Sequence, residues 1–404
     1  MNKTTKLILI SVLLGSACAL SITAAPAGPA LHRTGHLRPG ARFAEPSFAP
    51  KRKAAGKSAT HSPVLLDQNY KIIDEPDADP SLYGTRVFGI NEKGQISGQY
   101  VDSAGSFHAF LATPNGDGFD FTPISVKGRD TFVGFLNDRS EMFGTYTANR
   151  HTGMENAWIR LADGRIKKFA VSGATGGTFG QGLNNKGVLA GTYIDDNGVL
   201  HGFIRAKDGA VTLFDAPGAG TGADQGTEGL GINNLGEVSG TVHDSNDVSH
   251  GFVRRANGTF DPLIDVDGAG TGAGQGTEAI EIDDKGCVTG GFADSNDVRH
   301  GFIDCGGNFT IVDAPHAGTA PFQGTVAVEH LEAGWAIGEY IDTDGVYHGY
   351  FRKKNGSITE FDAPGAGDLG TYTVYQSNGA HLIAGTFKDE NGIRHGFTRY
   401  PKEP

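Results

Sequence analysis

The sequence is poor in several residue types, and these shortages narrow the choice of fold. Among 404 residues there are only three Cys, three Met and two Trp. Beyond the N-terminus no long stretch shows a helical pattern of apolar residues, so helices are not expected to build the core. Gly is abundant instead, with 62 residues, about twice its ordinary usage. Much Gly without a collagen period indicates many tight turns between short strands, and the sequence therefore predicts an all-β fold.

The N-terminus predicts export. Lys3 and Lys6 precede an apolar run at 7–14 that continues into small residues, as in a secretory signal peptide. We interpret residues 1–27 as this signal. Cleavage after Ala19 or after Ala27 fits the small-residue pattern, and lipid attachment at a cysteine is a weaker alternative. No second apolar segment is long enough to span a membrane, so the expected location is periplasmic or extracellular.

Residues 28–67 are interpreted as a disordered basic tether rich in Ala, Pro and Gly. They carry seven basic and two acidic residues and too little apolar surface to fold alone. The chain has 34 basic and 46 acidic residues, and nine of the basic and two of the acidic residues precede residue 68. The remaining body therefore has 25 basic and 44 acidic residues, an excess of 19 acids. Such an acidic body argues against nucleic acid as a partner. The tether is either a solvated linker or a contact to an anionic cell surface.

One pattern recurs from Gly89 almost to the C-terminus. A period in the high forties with four strand-like segments is typical of a propeller blade. In the fourth repeat the first strand is predicted to end at Asn233, and the others are predicted at 237–242, 250–254 and 260–265. Aligning the glycine after a short apolar step gives seven repeats, numbered here in chain order by Gly98, Gly144, Gly191, Gly240, Gly290, Gly338 and Gly385.

The seventh repeat lacks a fourth strand, and a matching segment lies at the other end of the body. Residues 71–76 resemble the fourth-strand ends at 213–217 and 360–364. The sequence therefore predicts a monomeric seven-bladed β-propeller of four-stranded blades over residues 68–404, in which the N-terminal strand completes the last blade and removes open sheet edges. The hairpin register also places Cys287 opposite Cys305, either as a disulfide of an exported protein or as two reduced core cysteines.

A histidine begins the third strand in six repeats, which at first suggests catalysis or metal binding. The hairpin spacing, however, places most of these histidines opposite an aspartate of the fourth strand. Because each pair lies in a separate blade, the histidines are too far apart to share one metal, and we interpret the pairs as structural. In the second repeat Asn156 replaces the histidine. The predicted pairs are His201–Asp215, His250–Asp265, His300–Asp313, His348–Asp362 and, through closure of the ring, His395–Asp74.

Threonines recur where the first strands begin, usually after Gly. Their hydroxyls are predicted to cap the glycine-rich turn or to reach the histidine–aspartate pair, and a functional ring of hydroxyls is the alternative. The residues are Thr85, Thr131, Thr178, Thr227, Thr277, Thr325 and Thr371.

In a propeller the fourth-to-first and second-to-third connections share one face, here called the loop face, and it is the predicted binding surface. The glycine-rich connections at 217–228 and 267–278 lack the Gly-Lys-Ser/Thr ending of a phosphate loop. The acidic second-to-third turns offer oxygen ligands for calcium, but each supplies only two or three, and ordinary turn chemistry explains them as well. No other cofactor is expected. The candidate binding residues are Asp224, Glu228, Asp244, Asp247, Glu278, Asp294 and Asp297.

His-Ala-Phe at 108–110, its His-Gly-Phe variants in later repeats and the Gly-Ile-Asn-x-x-Gly-x-x-x-Gly pattern together resemble the bacterial extracellular HAF-repeat family. The likeness covers roughly residues 70–399 and departs at 156–158 and at Leu331. It implies an exported, propeller-like protein and supplies no reaction or catalytic residues.

Three functions fit these observations. The first is a non-catalytic exported module that binds an extracellular glycan or protein through the loop face. The second is a propeller lyase or hydrolase acting on an extracellular polymer, with Glu228, Glu278 or His243 as candidates, and the third is a structural role in the envelope or matrix. An active site normally needs one asymmetric constellation, whereas Glu228 and Glu278 lie in near-duplicate loops, so no catalytic residue is assigned and the binding module is favoured.

Overall fold

A computed structural model describes residues 70–149, 153–331, 335–367, 370–377 and 382–400. The predicted signal peptide and basic tether lie outside these ranges. All regular elements within them are β-strands, which confirms the predicted all-β class for the described part of the chain. In the same residues no helix has the length and apolar character needed to cross a membrane.

Most repeats form four sequential antiparallel strands, and the first two form separate four-stranded sheets. Repeat 1 contains β2(Thr85–Ile90), β3(Ile96–Val101), β4(Phe107–Asn115) and β5(Gly118–Ile124). Repeat 2 contains β6(Thr131–Leu136), β7(Met142–Asn149), β8(Met154–Arg160) and β9(Ile166–Phe169). Repeat 3 contains β10(Gly177–Leu183), β11(Leu189–Ile194), β12(Leu200–Arg205) and β13(Val211–Phe214).

The remaining repeats follow the same plan with two exceptions, one in repeat 4 and one in repeat 7. Repeat 4 contains β14(Gly226–Ile232), β15(Val238–His243) and β16(Ser249–Arg254). Repeat 5 contains β17(Gly276–Ile282), β18(Val288–Ala293), β19(Arg299–Asp304) and β20(Phe309–Val312). Repeat 6 contains β21(Gly324–Leu331), β22(Trp335–Ile341), β23(Tyr347–Arg352) and β24(Ile358–Phe361). Repeat 7 contains β25(Thr371–Ser377), β26(Ile383–Lys388) and β27(Arg394–Arg399), and β1(Tyr70–Ile73) pairs with β27.

The predicted fourth strand of repeat 4, at 260–265, is replaced by two isolated bridges. Phe260 bridges Arg254, and Ile264 bridges Gly251. Pro262 stands between them and has no N–H to donate to a ladder, which explains why a continuous strand does not form. The other three strands of this repeat lie within one residue or so of their predicted bounds.

Contacts between the two ends of the described chain repeat those between neighbouring repeats. Single parallel bridges join the third strand of one repeat to the glycine that opens the next, as in Leu200–Gly226 and Ser249–Gly276. The same bridge joins Arg394 to Gly84. The ends of the described chain are therefore held together by the same backbone contact that links adjacent repeats.

The core lies between neighbouring sheets, and the glycine that defines each repeat is required by this packing. A Cβ on Gly240 would overlap the carbonyl oxygen of Glu228 and lie 2.5 Å from Cζ of the fully buried Phe252. In repeat 2 the large aromatic is Trp158, whose Nε1 donates to Phe132 O at 3.1 Å. The large third-strand aromatic therefore covers a glycine of the second strand, because only a residue without a side chain leaves room for it.

The threonines that open the first strands cap the preceding connection. Each is buried, and each hydroxyl accepts a hydrogen bond of 2.8–3.0 Å from a backbone N–H just after the fourth strand. Thr227, for example, accepts from Ala216 N, and Thr85 accepts from Glu75 N. The predicted capping role is therefore confirmed. Residues 74–75 occupy the position in repeat 7 that residues 215–216 occupy in repeat 3.

Candidate functional site

All five predicted histidine–aspartate pairs form. In each, Nδ1 of the histidine lies 2.6–3.0 Å from a carboxylate oxygen of its aspartate. The histidines are about three-quarters buried, whereas the aspartates are about half exposed. The pair His395–Asp74 joins residues 321 positions apart and depends on the pairing of β1 with β27.

A second carboxylate lies on the other side of each of these rings. His348 Nε2 is 3.3 Å from Asp342 Oδ2, and the corresponding distances in the other four pairs are 3.7–3.9 Å. In four of the five repeats an aromatic ring of the second strand also stacks on the histidine, with centroids 4.8–5.1 Å apart, and in repeat 4 Val242 takes this place. This second acid was not predicted, although its fixed position six residues before each histidine was visible in the sequence.

The pKa is raised in two of these histidines, His395 and His348. The hydrogen bond with Asp74 raises the pKa of His395 above its usual value, against the effect of burial, and Asp389 adds to the shift. Burial opposes protonation of His348, but Asp362 and Asp342 outweigh it and its pKa is raised. These two imidazoles therefore favour the charged form, which is poorly suited to act as a general base at neutral pH.

Repeats 1 and 2 depart from the pattern. In repeat 1 His108 lies 2.8 Å from Asp102 Oδ2, and its Nδ1 contacts Ser125 Oγ at 2.7 Å instead of an aspartate. In repeat 2 Asn156 replaces the histidine, and the neighbouring Glu155 receives a 2.6 Å hydrogen bond from Thr145 Oγ1. Burial raises the pKa of Glu155 to about 7.

The loop face is braced by glutamines that were not among the predicted site residues. Gln225 Oε1 accepts from Gly222 N within its own loop, and its Nε2 donates to Asp247 Oδ1 at 2.7 Å in the next second-to-third turn. Gln275 repeats both contacts, with Asp297 Oδ1 at 2.8 Å. Gln323 accepts from Ala320 N and donates to Thr343 O. A glutamine directly before Gly-Thr in three loops was the available sequence signal.

The same loops also reach back to the preceding repeat through their backbone. Gly274 N donates to Asp247 O at 2.8 Å, and Phe322 N donates to Asp297 O at 2.7 Å. Asp224 N donates likewise to Gly198 O at 2.9 Å. Each loop thus connects two successive turns, and the loop face of repeats 3 to 6 is one continuous hydrogen-bonded surface.

The five aspartates among the predicted binding residues divide into three environments. Asp244 and Asp294 are half-buried, and each accepts hydrogen bonds from the backbone of its own turn. Burial acts to raise the pKa of Asp244, but hydrogen bonds from the N–H groups of Val248 and Asn246 outweigh burial, and the pKa is lowered. Asp247 and Asp297 accept hydrogen bonds from the glutamines, Asp224 is exposed, and all three adopt positive φ. The sequence left two explanations for these acidic turns, calcium ligation and ordinary turn chemistry. Turn chemistry accounts for the positions of Asp244, Asp247, Asp294 and Asp297.

Glu228 and His243 lie beneath the loop face rather than on it. Glu228 is 6% exposed and His243 is 3% exposed, and His243 Nε2 is 4.0 Å from Glu228 Oε2. Burial opposes protonation of His243, but Glu228 outweighs it and raises the pKa. Glu278, which occupies the equivalent position in the next repeat, is half-buried.

A cavity of about 270 Å³ opens on the opposite face, here called the turn face, where first-to-second and third-to-fourth turns lie. This turn-face cavity was not predicted. Its apolar lining comes from the last residue of five first strands: Ile90, Leu136, Leu183, Ile232 and Ile282. Its carboxylates are Glu92, Asp138, Glu281, Asp283 and Asp284.

The two cysteines of repeat 5 form a disulfide between Cys287 and Cys305. Of the two predicted alternatives, the structure therefore shows the bonded pair. Among the described residues no group of three or more His, Cys, Asp or Glu is placed to hold a metal ion, so the calcium hypothesis finds no preformed cluster there.

No protein-family model and no curated relative matches the chain. Among solved structures it is similar to virginiamycin B lyase from Staphylococcus aureus, with 12% identity and a TM-score of 0.54 over 82% of this chain and 100% of that one. A streptogramin B lyase structure has 11% identity and a TM-score of 0.51, over 82% of this chain and 98% of that one. The BP39L lectin from Burkholderia pseudomallei has 10% identity and a TM-score of 0.51, over 79% of this chain and 96% of that one. At such identities the likeness concerns the fold alone, and the chain has a β-propeller-like fold.

Proposed function

We propose that the protein is an exported, non-catalytic propeller module that binds an extracellular glycan through its loop face. The observation that carries the proposal is the glutamine brace, which holds the same polar surface rigid in three successive loops. Binding sites gain affinity when their groups are ordered before the ligand arrives. A structural neighbour that is a lectin is compatible with this use of the fold.

The architecture that we infer is a closed ring of seven blades. The pairing of β1 with β27, the bridge from Arg394 to Gly84 and the bond from Glu75 N to Thr85 Oγ1 support this closure. A ring presents the loops of all repeats on one side, and a monomer suffices for such a surface. We also propose membership of the HAF-repeat family and a periplasmic or extracellular location, on the motifs and N-terminal signal described above.

The loops offer groups suited to sugar hydroxyls. Thr221, Thr271 and Thr319 stand at equivalent exposed positions in three successive loops. Hydroxyl and carboxylate groups on a preformed backbone can accept and donate hydrogen bonds to a polyhydroxylated ligand. The spacing by one repeat favours a ligand with its own repeating unit, because several weak contacts then act together.

A propeller enzyme is the alternative, and one asymmetric feature favours it. Only repeat 4 has a histidine at the end of its second strand, His243, and this residue lies beside Glu228. Both side chains are buried, however, so a polymer on the loop face does not reach them in this structure. The binding module therefore accounts for the accessible groups better than the enzyme does.

The test begins with a glycan array and a thermal-shift screen of the full chain, extended to extracellular proteins. For the ligand identified, replacing both Gln225 and Gln275 by Leu is expected to weaken binding at least tenfold, because the loops lose their brace. Gln95→Leu is the matched control, since Gln95 bonds Ser140 and Thr113 away from the loop face. It should leave affinity within about twofold.

Three results would count against the binding module. One is the absence of a ligand in all screens, and another is equal loss of affinity in the double variant and the Gln95 control. The third is release of product from a polymer that disappears in His243→Gln, which would establish the enzyme instead. If the only ligands found are proteins, the loop face keeps its role but the glycan assignment falls.

A further inference from the structure

The turn-face cavity is built by two hydrogen-bonded ladders that run from repeat to repeat. In the first ladder, asparagine side chains donate to the backbone of the next repeat, as in Asn137 Nδ2 to Asn184 O at 2.9 Å and Asn184 Nδ2 to Asn233 O at 2.9 Å. Asn91 and Asn233 continue it at both ends. These bonds fix the positions of the turns around the cavity.

The second ladder places side-chain oxygens in the rim. Asp138 Oδ1 accepts from Glu92 N at 2.9 Å, and Asp284 Oδ1 accepts from Asn234 N at 2.6 Å. Asp138 Oδ2 and Asp284 Oδ2 accept a second bond from the amides of Asn185 and Asn234. An ionised carboxylate has about four acceptor sites, so these two groups keep capacity for a further donor.

The described lining of the cavity carries charge of one sign. Five carboxylates line it, and none of its lining residues in the described part of the chain is Lys or Arg. A volume of about 270 Å³ lies just below the range of roughly 300–1,000 Å³ found for drug-sized ligands. The cavity therefore suits a single long side chain, whose methylene stem would pack on the isoleucines and leucines while its charged head meets the rim.

From this geometry we propose that the turn-face cavity binds the guanidinium or ammonium group of a basic polypeptide segment. This site is separate from the glycan surface, which lies on the opposite face. Two sources carry the chemistry: a separate basic ligand, and residues 28–67 of the same chain, which contain seven basic residues.

The chain's own segment starts on the correct face. Tyr70 pairs with Arg399, which pairs with Ile383, the residue that opens β26 directly after a first-to-second turn. β1 is the outermost of four strands, about 4.8 Å apart, so it lies roughly 14 Å from the innermost strand. The 13 residue steps from Lys57 to Tyr70 span at most roughly 45 Å, which exceeds that distance.

The experiment uses the full chain and a fluorescein-labelled peptide of residues 49–57, followed by fluorescence anisotropy at low and high salt. We expect the peptide to bind, the affinity to fall with salt, and a copy with Gln at its four basic positions to bind at least tenfold more weakly. Replacing Asp138 and Asp284 by Asn should weaken binding about fivefold, as expected for two partly exposed ion pairs. The matched control is Asp163→Asn with Asp208→Asn, which removes the same charge from third-to-fourth turns of the same face and should change affinity less than twofold.

A further full-chain variant, with Gln at the seven basic positions of residues 28–67, separates the two sources. If the chain's own segment occupies the cavity, the peptide binds this variant several-fold more tightly than the unchanged chain. Equal affinities assign the site to a separate basic ligand. Equal binding of the charged and the Gln peptide to this variant overturns the proposal, and so does an equal loss in the two double variants. The comparison of the two peptides on the variant with Gln at the seven basic positions remains decisive even if Asp138→Asn with Asp284→Asn does not fold, because no segment of the chain competes there.

Discussion

Gly290 and Gly291 stand side by side in β18 and allow a direct test of why every repeat has glycine at this point. A Cβ on Gly290 would overlap the carbonyl oxygen of Glu278 in β17 and lie 3.0 Å from Cε1 of Phe302 in β19. A Cβ on Gly291 would meet only His300 O, at 3.3 Å. Neither glycine has a positive φ, so backbone strain does not distinguish them.

The expected magnitudes follow from these contacts. The atoms that crowd Gly290 belong to the backbone of an adjacent strand and to the fully buried Phe302, and neither can move away without disturbing the sheet. Overpacking of this kind costs about 1–3 kcal/mol. A strand glycine replaced by alanine regains roughly 0.5–1 kcal/mol where the site has room. We therefore expect Gly290→Ala to lower the free energy of unfolding by about 2 kcal/mol and Gly291→Ala to change it by less than about 0.5 kcal/mol.

The measurement is thermal unfolding of both full-chain variants, followed by far-ultraviolet circular dichroism. A loss of about 2 kcal/mol corresponds to a midpoint lower by roughly 3 °C or more in a chain of this size. The midpoint of Gly291→Ala should stay within about one degree of the parent, because the added methyl group meets only His300 O at 3.3 Å, a close contact that a small shift relieves. Equal midpoints for the two variants would refute the packing argument, and a lower midpoint for Gly291→Ala would reverse it.

Three further changes probe other parts of the molecule. Replacing Cys287 and Cys305 by Ala removes a link of 18 residues, so we expect a loss of about 3 kcal/mol, and reductant should lower the melting temperature of the parent but not of this variant. Because Asp74 raises the pKa of His395, the stability that the pair contributes is complete below about pH 6.5 and is lost as pH rises through the folded-state pKa; Asp74→Asn should therefore lower the melting temperature more at pH 5.5 than at pH 8.5, and an equal loss at both values would contradict this. Burial raises the pKa of Glu155 to about 7, so its ionisation destabilises the fold increasingly between about pH 4.5 and 7; Glu155→Gln should melt above the parent at pH 8 and with it at pH 4, and no gain at pH 8 would show that the carboxyl is not desolvated.

Most strand pairings and four of the five histidine pairs could be predicted because their partners lie close in sequence. The fifth pair, His395–Asp74, spans 321 residues and was predicted from the missing fourth strand of repeat 7. Cys287 and Cys305, or His250 and Asp265, face each other across one hairpin, and the turn between them fixes the register. The fourth strand of repeat 4 was the exception, since Pro262 interrupts the ladder there. The glutamine brace was missed because it connects a loop to the turn of another hairpin, 22 residues away, and glutamine has no turn preference that would mark it.

The turn-face ladders were missed for a related reason, and here the period itself carries the information. The bonds from Asn91, Asn137, Asn184 and Asn233 span 46, 47, 49 and 50 residues. These are the spacings between the repeat glycines from Gly98 to Gly290. Each asparagine also turns its own chain, because Asn137 Oδ1 accepts from the backbone N–H of Arg139 and Glu141. The hydrogen bonds that the amide oxygen accepts within the turn already explain an asparagine at this position. The bond that its amide nitrogen donates to the next repeat becomes apparent only when neighbouring repeats are compared in the structure. This asparagine therefore keeps the same position within each of these repeats because of the contact between repeats as well as the turn. That contact fixes the acidic rim of the turn-face cavity.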